Sequence, residues 1–277
     1  MHTANERGFA VSPWLLEHAT ALRLGTFFGV LVLLIGAEVT RPFRGAPRRL
    51  TRWVRHLSIA TLGNLALRLL FPMLAIGFGG LVDEHSVGLL QTFDLPRWLL
   101  IVLGVVALDL AIYTQHRVFH RQPLLWRLHR MHHSDTAFDA STGIRFHPIE
   151  IVVSMLIKIG VVVVLGIPAL AVLLFEILLS ATSLFSHADI RLPAKLESNL
   201  RQLLVTPDLH RIHHSVLRHE TDSNFGFCLS LWDRLFGSYR AAPERDPQSM
   251  PIGLGEFREP EEQQFLRVLS QPFRTQK

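Results

Sequence analysis

Three groups of histidines hold most of the chemistry available to this sequence. The first is His116-Arg117-Val118-Phe119-His120, two histidines four residues apart. The second is His129-Arg130-Met131-His132-His133, and the third, well downstream, is His210-Arg211-Ile212-His213-His214. On a helix, residues three and four apart share a face, so the imidazoles of each group can meet at a metal. Chance would supply roughly 0.04 such triplets at this histidine content, against two present. Neutral imidazole suits Fe, Zn, Cu and Ni alike, so the residues alone leave the metal open. Eight histidines in three groups exceed the needs of one tetrahedral zinc, and two metals in one site is the simpler reading. Carboxylate-bridged di-iron bundles use Glu-x-x-His pairs; here the donors are mostly imidazole.

Helices must deliver these groups, and the composition indicates in which solvent. Of 277 residues, 49% are hydrophobic and 18% charged, with mean hydropathy +0.28. A soluble domain carries roughly a quarter charged residues, so the chain reads as a membrane protein. A span needs roughly 20 apolar residues to cross about 30 Å of hydrocarbon. Candidates run from about Leu22 to Val39, His56 to Val82, Arg97 to Thr114, Ile149 to Leu165 and Pro168 to Phe185. Gly166-Ile167-Pro168 reads as a tight turn between the last two. The expected fold class is all-α: a polytopic membrane protein with four or five transmembrane helices and a cytoplasmic histidine-rich helical cap.

Charge placement sets the orientation. Arg41, Arg44, Arg48, Arg49, Arg52 and Arg55 lie between the first two spans, whereas Asp83, Glu84 and Asp94 follow the second. Arginine-rich loops stay in the cytoplasm, which puts the N-terminus outside and every clustered histidine on the cytoplasmic side. The net charge of +5 is modest and fits topology; no nucleic-acid partner is expected. Cys228 is the only cysteine, which excludes an internal disulfide and a cysteine zinc site. The first twenty residues, with Glu6, Arg7 and Glu17, lack the order of a cleavable signal, so insertion falls to the later spans.

In order and separation, the three groups resemble those of the fatty acid hydroxylase / sterol desaturase family of integral membrane di-iron enzymes. Further similarity lies in Asp109 and Tyr113 ahead of the first pair, His147-Pro148 after the second group, and Ser186-His187-Ala188-Asp189 before the third. The runs Asp222-Ser223-Asn224-Phe225-Gly226 and Trp232-Asp233-Arg234-Leu235-Phe236-Gly237 also look like the family's C-terminal end. The resemblance divides the chain into an N-terminal membrane segment (1–99), a hydroxylase-like catalytic domain (100–240) and a loosely ordered polar tail (241–277). It implies two Fe ions, with Zn an alternative occupant on purification, that activate O₂ against an unactivated C–H bond of a lipid.

Carried across residue by residue, it implies His116, His120, His129, His132, His133, His187, His210, His213 and His214 as metal ligands. His147 becomes a tenth ligand or a neighbour of the ligands, and His219 an ordinary surface histidine. Asp109, Tyr113, His116 and His120 form one helical stripe, and Glu176 shares a face with His187. Ionisable groups in apolar spans are functional candidates, so Asp109 and Glu176 are expected to accept hydrogen bonds from ligand imidazoles. Lys158 is read as structural, Arg68 has no assigned role, and Trp126 and Trp232 are read as interface anchors. No haem, flavin or dinucleotide motif is present, so electrons are expected from a separate b-type cytochrome or ferredoxin. The rival readings are a histidine-rich membrane metal carrier, which would want ligands near the bilayer midplane, and a zinc hydrolase with one open-sited metal. Hydroxylation and desaturation stay undivided at this stage, as does the identity of the lipid.

Overall fold

The computed structural model describes residues 13–47, 49–71 and 73–275; Glu6, Arg7 and Arg48 lie outside them. A short helix α1 (Pro13–Glu17) precedes α2 (Ala19–Thr40). Next come α3 (Arg49–Leu70), α4 (Ala75–His85), α5 (Arg97–Arg121) and α6 (Pro123–His133). The hairpin α7 (Pro148–Leu165) and α8 (Ala169–Ser186) follows. Short helices α9 (Ala194–Leu200), α10 (Pro207–His213), α11 (Arg218–Thr221), α12 (Leu231–Leu235) and α13 (Phe265–Ser270) complete the chain. Among the described residues, strand-like pairing is limited to isolated bridges, Leu204 to Leu229 and Ser215 to Ile252. The fold is all-α, as the sequence leads one to expect.

Among the described residues, five segments are long and apolar enough to cross a membrane: α2, the α3–α4 stretch, α5, α7 and α8. Their outward faces stay apolar, with Leu33 74%, Leu69 76% and Val164 68% exposed. Water would make such a surface an aggregation site, whereas lipid tails solvate it. The protein is an integral membrane protein. Between the spans, Leu108, Ile112, Met155, Val162 and Phe175 form the main buried cluster.

Two spans depart from the sequence reading. The stretch from His56 to Val82 is two helices. Proline at position 72 supplies the reason, since it lacks the N–H that a continuing helix needs. α3 begins inside the cap, where Arg52 and His56 are buried, and packs on the start of α7 at Gly63, which faces Ile151. α4 then completes the crossing, with Gly79 against the backbone of Ala169. The third span runs past Thr114: α5 has 25 residues, about 37 Å at 1.5 Å per residue. That exceeds about 30 Å of hydrocarbon, so its last turns project into the cap and carry His116 and His120.

The expected turn between α7 and α8 is present. Gly166 ends α7 in the left-handed region (φ 72°), where glycine has no steric penalty. A Cβ there would lie 2.6 Å from the Val87 carbonyl oxygen. Around this far end, Gln91 Nε2 donates to Gly166 O (2.8 Å) and Asp83 accepts from Ala169 N (3.0 Å).

The tail after Ala241, expected to be loosely ordered, is packed onto the cap. Met250, Ile252 and Gln271 are buried. The buried Arg130 donates to the carbonyl oxygens of Gln271 (2.5 Å) and Arg274 (2.6 Å). An arginine under the tail must find acceptors, and these carbonyls supply them.

Candidate metal centre

Helix ends deliver the histidines. α5 ends with His116 and His120, α6 with His129, His132 and His133, and α8 is capped by His187. α10 carries His210 and His213 and is capped by His214. Prolines at the first helical position start α6 and α10, where the missing N–H costs nothing. Thr206 caps α10 by accepting from Leu209 N. Gly143 lets the turn Ala140–Ile144 press against the end of α8: a Cβ there would meet Ser183 O at 2.7 Å and His187 Nδ1 at 3.1 Å.

The side chains converge into two groups, all buried. His116, His120, His129, His133 and His213 form one; His132, His187, His210 and His214 form the other. Within each group the candidate ligand atoms lie within 4.8 Å of one another. The groups abut, with the His133 and His214 rings stacked at 4.5 Å. Each triplet is split: the i, i+4 pair of each goes to one group and the remaining histidine to the other. His129 and His133 thus join the first group while His132 joins the second, and His210 and His214 join the second while His213 joins the first.

Protonation makes the case for cations. His116 Nδ1 donates to Phe225 O (2.8 Å) and His213 Nδ1 to Ser223 O (2.7 Å). In the neutral rings both Nε2 atoms then carry bare lone pairs, yet they face each other at 3.1 Å. Burial pushes His213 down to about 3, so an imidazolium does not relieve that repulsion. Nitrogens bound at about 2.1 Å to one metal, at right angles, would sit about 3.0 Å apart. Further Nε2 pairs match that spacing: His129 with His133 (3.2 Å), His132 with His187 (3.2 Å) and His187 with His210 (3.0 Å). His120 Nε2 and both nitrogens of His214 are buried without partners. The residues fit metal ions.

Burial lowers His187 to about 4 and drives His132, His133, His210 and His214 well below the usual range. All are therefore neutral at pH 7, the form that binds metal.

Outer partners orient several rings. Glu150 Oε1 accepts from His129 Nδ1 (2.7 Å), Asp222 Oδ1 from His120 Nδ1 (3.2 Å) and Ser183 O from His187 Nδ1 (2.7 Å). Such contacts fix the tautomer and leave Nε2 free. Sequence reasoning gave Glu150 and Asp222 no role. An acidic residue in the first turn of an apolar span was the available signal for Glu150. Behind α6, buried Arg52 pairs with Asp135 and with Asp139 (3.1 Å), and Arg145 joins Asp135 at 3.2 Å. Burial alone would raise the Asp135 carboxyl, but the two guanidiniums hold it far below its usual range. Glu38 of α2 accepts from Ala140 N (2.7 Å) and Asp189 N (2.8 Å), so the N-terminal spans also brace the cap.

Other expected residues stand apart. Asp109 touches no ligand imidazole. It lies seven residues before His116, about 10 Å along the helix, and accepts from Cys228 N, Leu229 N and Trp232 Nε1 (2.8 Å). Trp232 is therefore buried against Asp109 rather than anchored at an interface, and the Trp126 ring lies tilted beside His120, centroids 4.9 Å apart. Glu176 pairs with Lys158 (3.0 Å) and Arg23 (2.5 Å), well away from His187. Tyr113 bonds Ser238 Oγ (2.8 Å). His147 caps α7 through Ile149 N (3.1 Å) and belongs to neither group. His219 is 51% exposed and pairs with Glu244, as expected of a surface histidine.

A cavity of about 190 Å³ opens beside His116 and His129. Leu67, Ile112, Phe119, Ile151, Met155 and Phe227 supply its apolar wall.

Comparison with known proteins agrees with this geometry. Residues 101–238 match the family described as fatty acid hydroxylase. An ornithine lipid hydroxylase of Rhizobium tropici is 32% identical over 180 residues, 64% of this chain and 51% of that protein. The alkylglycerol monooxygenase of Homo sapiens is 28% identical over 186 residues, 65% of this chain and 40% of its own length. A fatty acid hydroxylase of a Lecanicillium species is 27% identical over 186 residues, 62% of this chain and 50% of that one. The chain thus spans about half the length, or less, of these relatives. No solved structure matches it. With its three histidine groups inside the matched region and gathered at one end of a membrane bundle, the chain belongs to the fatty acid hydroxylase family.

Proposed function

We propose that this protein is a membrane lipid oxygenase in which the nine clustered histidines hold two iron ions. The observation that carries this reading is the pair of bare Nε2 lone pairs on His116 and His213, facing each other at 3.1 Å beside a mostly apolar cavity. The names of the relatives, hydroxylases and monooxygenases of lipids, favour an alcohol over an alkene as product. When bound, the metals would supply O₂ activation, with one oxygen atom entering the C–H bond and the other leaving as water, using two electrons and two protons from outside.

The chain's own residues do the rest. Nine imidazoles supply nitrogen donors, and Glu150, Asp222 and the carbonyls of Ser183, Ser223 and Phe225 aim five of them. Asp109 is a positioning residue: it holds Cys228 N and Leu229 N, fixing the loop whose Phe225 carbonyl orients His116. Apolar side chains around the cavity exclude water and accept hydrocarbon entering sideways from the bilayer. The arginines before and within α3 favour a cytoplasmic location for the cap. A separate one-electron donor, a b-type cytochrome or ferredoxin, would reach it from that side.

The test compares lipid extracts of cells with and without the gene, grown under heavy-isotope O₂, by mass spectrometry. A lipid gaining one heavy oxygen is expected, and it should vanish in His132→Ala and His213→Ala variants that still insert. Unchanged lipids, or labelled product persisting in the double variant, would defeat the proposal.

A further inference from the structure

The cavity wall is not uniformly apolar. Glu150, Ser154 and Lys158 line it from α7 at i, i+4 and i+8, a polar rail with steps of about 6 Å leading from the metal ligands into the membrane. The first step, Glu150, holds His129 through Oε1, and its Oε2 is buried without a partner beside the ligands. Lys158 at the far end is already paired with Glu176 at 3.0 Å. The middle step also carries an unsatisfied acceptor, one turn deeper along the cavity. Gln115, next in sequence to the ligand-group residue His116, crosses from α5 and donates through Nε2 to Ser154 Oγ (2.7 Å). That bond turns the other end of the carboxamide free: Gln115 Oε1 is buried and has no partner. A cavity for bare hydrocarbon has no use for an acceptor of this kind, because burying one unsatisfied is unfavourable.

Resting on the lipid-oxygenase reading above, we infer that Gln115 anchors a hydrogen-bond donor of the lipid, an amide N–H or a hydroxyl. Because the anchor sits about one helical turn from Glu150, it sets where the chain is oxidised. The carbon presented to the metals lies a few bonds from the anchored group, and mid-chain or terminal carbons are out of register. Gln115 is thus a specificity-determining residue, with Ser154 fixing which end of its carboxamide faces the lipid.

Two synthetic probes test this: an acyl amino-acid lipid with an amide linkage, and its ester counterpart of equal chain length, which lacks the N–H. Both are titrated against the metal-loaded, full-length protein in detergent without reductant, then offered for turnover with a chemical or protein electron donor. The wild type should bind the amide about tenfold more tightly than the ester, the effect of one buried hydrogen bond. It should place the new hydroxyl within a few carbons of the linkage. Gln115→Met keeps the side chain's length without the acceptor; it should bind both probes within about twofold, at unchanged metal content. Ser154→Ala, a milder change should Gln115→Met fail to fold, should raise the KM for the amide with little change in kcat. Equal binding of the two probes by the wild type, a preference that survives in Gln115→Met, or hydroxylation at mid-chain would overturn the anchor. Discrimination in binding with no turnover would instead overturn the oxygenase reading while leaving the anchor standing, and absence of both would overturn both.

Discussion

Removing the Glu150 carboxylate should weaken one metal group selectively. Its Oε1 accepts from His129 Nδ1 at 2.7 Å, and the two side chains are only 5% and 2% exposed. A short, charge-assisted bond shielded from water is the strong kind, and loss of such an outer partner costs about 10- to 100-fold in metal affinity, or about 1.4 to 2.7 kcal/mol. The matching contact on the same group, Asp222 to His120, is longer at 3.2 Å, and Asp222 is 39% exposed. Water can replace much of it, so Asp222→Ala should cost only a few-fold. Glu150→Gln keeps an oxygen acceptor without the charge and should fall between Glu150→Ala and the wild type. Competition with a graded series of chelators, followed by elemental analysis, reads these affinities. Equal losses for Glu150→Ala and Asp222→Ala, or an unchanged affinity in Glu150→Ala, would refute the reasoning that orientation of His129 by Glu150 matters to the group.

Gly143→Ala would drive a methyl to 2.7 Å from Ser183 O and 3.1 Å from His187 Nδ1. Overpacking of this kind costs about 1 to 3 kcal/mol, so the thermal midpoint should drop and metal should be lost first from the group containing His187. The metal-free protein should also lose stability as pH falls. His187 and His213 titrate at about 4 and about 3 in the fold, against about 6.5 when unfolded, so the unfolded chain takes up protons first. Their contribution is complete above about pH 6.5 and declines below it by about 1.4 kcal/mol per pH unit for each ring. Thermal denaturation of the metal-free form should therefore shift downward between pH 7.5 and about 5.5, and a midpoint that rises instead would contradict the burial of these rings as neutral groups.

The parts of this protein set by local spacing could be read from the sequence. Histidines three and four apart fall on one face of a helix whatever surrounds it, and runs of apolar residues mark spans because lipid imposes length. Contacts made across the fold could not be read in the same way. Nothing in His129-Arg130-Met131-His132-His133 says that His132 turns to a different group from its neighbours, since that follows from where α8 and α10 end. Asp109 shares a stripe with His116, yet the seven-residue step between them separates it from the rings, and the loop at Cys228 takes its oxygens instead. Phe225 and Ser223 act through backbone carbonyls, which side-chain identity does not encode. The packed tail was missed for a related reason. Its prolines and polar residues resemble a linker, while the acceptors that hold it, the carbonyls of Gln271 and Arg274, answer a buried arginine distant in sequence.

Metal stoichiometry tests the central idea most directly. Protein purified in detergent and reconstituted anaerobically with ferrous iron should hold two iron ions per chain by elemental analysis. Replacing His116 and His120 together by alanine should remove one and leave the ion held by His132, His187, His210 and His214 in place. A wild-type chain that binds a single ion, or a double variant that still holds two, would contradict the two-group arrangement.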